Sequence, residues 1–127
     1  EIALFAVGSM VKTAEAVRDR LKALGNGVSL VNARFVKPID QEAVAEACGS
    51  HDLIVTMEEN VACGGYGEKV LAYMNENGMQ SRFLGIAVPD VFVEHGNVEL
   101  LKQEIGMDAE SIVERILRRI DGASENR

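Results

Sequence analysis

The chain has 127 residues, 47% hydrophobic and 26% charged, proportions that fit one folded domain and exclude a disordered segment. Basic residues number 13 against 20 acidic ones, a net charge of −7 and a pI near 4.8, which argues against nucleic acid as a partner because phosphate binding needs a basic face. Cys48 and Cys63 form neither a zinc pattern nor a disulfide framework, and no apolar run reaches the roughly 18–20 residues of a membrane span, so a reduced, cytoplasmic chain without a membrane partner is expected.

In chain order, the first element is a strand. Ile2 to Val7 is a continuous apolar run ended by Gly8, as in a strand covered on both faces. The run begins directly at Glu1, without Met or a signal-peptide pattern, which suggests a piece of a longer polypeptide. Ser9 is placed to cap a helix whose apolar positions Met10, Ala14, Val17, Leu21 and Leu24 step by four and three residues, with Gly25 and Gly27 as its stop. Val28 to Val31 predicts a second strand. Asp40 caps a short helix, with Ile39 and Val44 as a hydrophobic staple and Gly49 as its end.

Leu53 to Met57 reads as the third strand. After Gly64-Gly65-Tyr66-Gly67 follows a helix with Val70, Tyr73 and Met74 inward, closed by Asn77-Gly78. Phe83 to Val88 is a fourth strand, halted by Pro89-Asp90; Asn97 opens a helix that stops at Gly106. Asp108 caps the last helix, with Ile112, Val113, Ile116, Leu117 and Ile120 inward and Arg115, Arg118 and Arg119 toward the end that favours cations. Strands alternating with helices imply one α/β domain over residues 1–121, a three-layer αβα sandwich around a mostly parallel sheet of about five strands, with a polar tail at 122–127. Loops after the strands then gather on one edge: Ser9, the segment 32–37, Glu58 to Gly67, and Pro89 to Gly96.

Candidate chemistry is sparse along that edge. Neither a G-x-G-x-x-G fingerprint nor a G-x-x-x-x-G-K-[ST] loop is present. The Gly64 to Gly67 stretch is either a tight strand-to-helix turn packed against a neighbouring domain or an anion-binding helix start. Cys63 with His95 resembles a nucleophile and base, yet Val61 stands where a nucleophile elbow needs glycine, and a small buried thiol is the expectation. Glu58 and Glu59 are adjacent strand residues that face opposite sides, so they share neither a proton nor a metal; one of them can cap the following turn. His51-Asp52 reads as a solvated turn. No cluster suits a metal.

Four segments, in order and spacing, carry a resemblance. Arg34-Phe35-Val36-Lys37-Pro38-Ile39-Asp40 resembles the R-F-[VI]-K-P-[LI]-D string of the 1-deoxy-D-xylulose-5-phosphate synthase family. Glu58-Glu59-Asn60 with Gly64-Gly65-Tyr66-Gly67 is similar to its E-E-N…G-G-x-G; Gly85-Ile86-Ala87-Val88-Pro89-Asp90 with Phe92-Val93-Glu94-His95-Gly96 to its G-[IL]-P-D-x-F-[IV]-x-[HQ]-G; and Gly106-Met107-Asp108-Ala109 to its G-L-D-A. Ala87 as an extra residue and Met107 for Leu are the departures. The E-E…G-G-x-G pattern is shared with transketolases and the β subunits of 2-oxoacid dehydrogenases, which leaves those as alternatives, beside an autonomous anion-binding module.

The resemblance implies the third, transketolase-like domain of a homodimeric transferase. The full enzyme would use thiamine diphosphate and Mg²⁺ to condense pyruvate with D-glyceraldehyde 3-phosphate, the thiazolium acting as electron sink. The cofactor motif G-D-G…N is absent from this chain, so no catalytic, cofactor-binding or metal-binding residue carries over. The implied partners are the preceding domains and a second subunit. The candidate contact edge comprises Arg34, Lys37, Glu58, Glu59, Gly64, Gly65, Gly67, Asp90 and His95.

Overall fold

Strand β1 (Ile2–Ala6) is buried at every position, as a strand between two helix layers must be. It pairs in parallel with β2 (Val28–Asn32) on one side and β3 (Leu53–Val61) on the other, and β4 (Arg82–Val88) adds in parallel to β3. The computed structural model describes residues 1–33, 39–61, 65–88 and 107–122. Among them the sheet has four strands in the order β2-β1-β3-β4, where the sequence suggested about five. The predicted helix from Asn97 to Gly106, and Arg34, Lys37, Cys63, Gly64, Asp90 and His95, lie outside the described residues.

The side-chain alternation of the strands divides the core in two. Ile2, Leu4 and Ala6 of β1 and Leu53, Val55 and Met57 of β3 face α1 (Met10–Ala23) and α4 (Ala109–Gly122). Ala3, Phe5 and Ile54 face α2 (Gln41–Ser50) and α3 (Tyr66–Glu76). The β1-to-β2 connection therefore crosses one face, and those to β3 and β4 cross the other. A single crossover hand requires this when the chain leaves β1 in one direction and then returns past it. The C-terminal ends of β1 and β3 form the topological switch point, where open α/β sheets offer their crevice.

Met10, Ala14, Val17 and Leu21 are buried on α1, and Ile112, Val113 and Ile116 on α4, as the periodicity predicts. Leu24 is the exception: it falls after the last turn of α1, at the C-cap, and is 49% exposed. Gly25 (φ 94°) and Gly78 (φ 63°) stop α1 and α3 in the left-handed conformation. In each, the following two amides reach back into the last turn: Gly25 to Lys22 and Asn26 to Leu21, Gly78 to Asn75 and Met79 to Met74.

Gly49 does not end α2, which runs on to Ser50. His51, expected in a solvated turn, is the terminator. Its Nδ1 lies 2.9 Å from the Ala47 carbonyl, and its Nε2 lies 3.0 Å from Ser29 Oγ of β2. A carbonyl only accepts, so Nδ1 carries the proton, and the ring ties the end of α2 to β2. Gly122, assigned to the tail, is the last residue of α4.

Candidate functional site

The helix N-termini at the C-terminal edge of the sheet are where unpaired amides and helix dipoles would hold an anion. Each is already supplied from within the chain. On α2 the Asp40 carboxylate accepts from Ala43 N at 3.1 Å, the cap that the sequence predicts. On α4 Asp108 accepts from Ser111 N at 3.2 Å and from Ser111 Oγ at 2.6 Å. Those bonds, chiefly the Ser111 hydroxyl, hold the Asp108 carboxyl below the usual aspartate range.

On α3 the N-cap residue is Gly65, which has no side chain to offer. The acceptor arrives from β3 instead. Glu58, 1% exposed, receives Tyr66 N on Oε1 at 2.8 Å and Gly67 N on Oε2 at 2.7 Å. Its one formal charge is thus held by two aligned amides and the positive end of the helix. Glu59, next along the strand, turns to the opposite face and accepts from Ser9 Oγ at 2.5 Å. Ser9 does not cap α1: its backbone is already helical, and the first amides of α1 bond the carbonyls of Val7 and Gly8. The Ser9–Glu59 bond instead spans the ends of β1 and β3, across the switch point. The paired glutamates therefore act separately, one on each face, as strand alternation requires.

Three groups converge where α3 meets β3. A Cβ on Gly67 would stand 2.6 Å from Thr56 Oγ1 and 3.2 Å from Glu58 Oε2. Gly67 is thus a close-approach glycine within the first turn of α3, and Tyr66 and Gly67 belong to the helix rather than to the loop before it. Thr56 Oγ1 is fully buried and makes no hydrogen bond.

Tyr66, 2% exposed, packs beside Phe5, Val31 and Asp40 at a cavity of about 180 Å³. That volume is below the ~300–1,000 Å³ of small-molecule pockets. Burial first, then the Asp40 and Glu58 carboxylates, push the Tyr66 hydroxyl up to about 12. A folded-state value above the unfolded ~10 gives stability that is complete below pH 10 and lost as pH rises through 12. Two units correspond to about 2–3 kcal/mol. Tyr66→Phe should therefore flatten the alkaline limb of a urea-midpoint-versus-pH profile between pH 10 and 12, and an unchanged limb would refute the assignment.

Among the described residues no three His, Cys, Asp or Glu side chains are grouped to hold a metal, and no helix is long and apolar enough to cross a membrane. Carboxylates stand at the edge where a diphosphate would need donors, so the described residues do not fit thiamine diphosphate or its Mg²⁺. Of the candidate contact residues, Glu58 and Gly67 are buried within the chain, Gly65 is half-buried and Glu59 is exposed. The reach of Glu58 to α3 had no signal in a capping motif, because the cap and its acceptor are 8 and 9 residues apart.

An open, doubly wound parallel sheet whose helix N-termini are capped from within defines an α/β domain that presents an edge rather than a cofactor cradle. The chain belongs to the transketolase C-terminal domain family, whose model matches residues 1–112. It is 52% identical over 119 residues to the 1-deoxy-D-xylulose-5-phosphate synthase of Lachnoclostridium phytofermentans, covering 93% of this chain and 19% of that protein. Identity to the enzymes of that name from Caldanaerobacter subterraneus and Heliobacterium modesticaldum is 41% and 35%, over 94% and 100% of the chain. The chain spans about a fifth of the length of these relatives. Among solved structures, a "split gene transketolase, inactive beta4 tetramer" superposes with a TM-score of 0.83 at 27% identity, covering 93% of this chain and 37% of that one.

Proposed function

We propose that this chain is the C-terminal domain of a 1-deoxy-D-xylulose-5-phosphate synthase, a transferase that joins pyruvate to D-glyceraldehyde 3-phosphate with loss of CO₂. The 52% identity to a protein of that name, against 27% to the transketolase structure, favours this over the transketolase alternative. In this reading thiamine diphosphate and Mg²⁺ bind to polypeptide outside the chain, the complete enzyme is a cytoplasmic homodimer, and this domain serves assembly rather than chemistry.

One observation carries the role assigned to the domain: the amides of α2, α3 and α4 that could hold a phosphate are occupied by Asp40, Glu58 and Asp108. A second anion would meet those carboxylates first, which also counts against an autonomous anion-binding module. The isolated chain should show no heat of binding with thiamine diphosphate and Mg²⁺, and no turnover of pyruvate with glyceraldehyde 3-phosphate. The complete polypeptide should lose its dimer and its activity together when residues 1–122 are deleted. Turnover by the chain alone would overturn the assignment of chemistry; a deletion that keeps the dimer would overturn the assembly role.

A further inference from the structure

Strand β4 is an outer strand of the sheet among the described residues, and its sequence, Arg82-Phe83-Leu84-Gly85-Ile86-Ala87-Val88, is apolar after the first position. A free edge of that composition is a template for another strand. Which groups it exposes follows from one bond. Arg82 N donates to Asp52 O at 2.8 Å, so the polar backbone of Arg82 faces β3. Alternation along a regular parallel strand then turns the N–H and C=O of Phe83, Gly85 and Ala87 outward. The register with β3 is unbroken from Arg82 to Ile86.

The first outward carbonyl is taken. Arg119, in the last turn of α4, donates from Nη2 to Phe83 O at 2.6 Å, and Arg82 Nη1 donates in return to Arg119 O at 2.9 Å. The second bond satisfies one of the carbonyls left open at a helix C-terminus. The first does something different: it lays a permanently charged, planar group along the free edge of the sheet. Charged side chains at an edge are a common means of preventing strand addition.

We propose that Arg119 is an edge guard, which keeps β4 from pairing with β4 of a second copy of this chain. Removing it exposes three successive outward-facing residues, Phe83, Gly85 and Ala87, to a partner strand. Arg82 ties α4 to the sheet without blocking the edge, so the two arginines separate anchoring from guarding.

The test compares Arg119→Ala, Arg82→Ala and the wild-type chain by sedimentation, with infrared detection of intermolecular sheet. Arg119→Ala should reach at least twice the weight-average mass of the wild-type chain at equal concentration and gain the intermolecular band. Arg82→Ala should lose thermal stability without either change. Adding Ala87→Pro to Arg119→Ala, which deletes an outward N–H without breaking a bond to β3, should restore the wild-type mass. Arg119→Lys keeps a cation at the edge and should stay at the wild-type mass, which separates guarding from loss of fold. A folded Arg119→Ala chain with unchanged mass, or an association that Ala87→Pro leaves intact, would overturn the proposal.

Discussion

Glu58→Ala is expected to destabilise the chain by about 2–4 kcal/mol, far more than an ordinary strand glutamate would. The substitution strands the amides of Tyr66 and Gly67 at a buried helix start, each a donor that loses a charged acceptor at 2.8 and 2.7 Å. An unsatisfied buried donor costs about 1–3 kcal/mol, and no side chain at Gly65 can substitute. Glu58→Gln keeps the shape and one acceptor oxygen but aims an NH₂ at the other amide, so about half of that loss should remain. Urea unfolding would measure both, with hydrogen exchange at the first turn of α3 as the local readout. A Glu58→Ala midpoint within the error of wild type would show that water replaces the carboxylate and that the cap is dispensable.

Gly67→Ala is expected to cost about 2 kcal/mol, against the direction of helix propensity. Alanine is the better helix former by about 1 kcal/mol, and on that ground alone the change would stabilise α3. The added methyl, however, would lie 2.6 Å from Thr56 Oγ1, on a central strand whose backbone is held on both sides. Overpacking of this kind costs about 1–3 kcal/mol, and lifting the helix off β3 also stretches its two bonds to Glu58. Because the conflict is with one atom, Thr56→Ala in the Gly67→Ala background should recover most of the loss. Thr56→Ala removes a buried hydroxyl that has no partner, so little is lost with it. Additive losses in that double-mutant cycle would show that the strain lies elsewhere.

These two residues mark the limit of what the linear pattern reveals. The strand-helix alternation, the inward stripes of α1 and α4, the caps at Asp40 and Asp108 and the glycine stops at Gly25 and Gly78 were legible, because each depends on neighbours within a turn or two. The opposite facing of Glu58 and Glu59 was legible too, since strand alternation alone decides it. What each carboxylate meets was not. Ser9 read as a cap by residue type, yet its hydroxyl serves Glu59, which is 50 positions away in the chain.

The chain by itself determined an α/β domain with a parallel sheet, its helix boundaries to within a few residues and its family likeness, because hydrophobic period and capping chemistry are local. Only the tertiary structure decided that α3 starts on a strand carboxylate, that Gly67 must lack a side chain, that His51 ends α2 and that Arg119 lies on the edge of β4. Each of those depends on which strands become neighbours. That order, β2-β1-β3-β4, is set by packing two helix layers on one sheet, and no local periodicity encodes it.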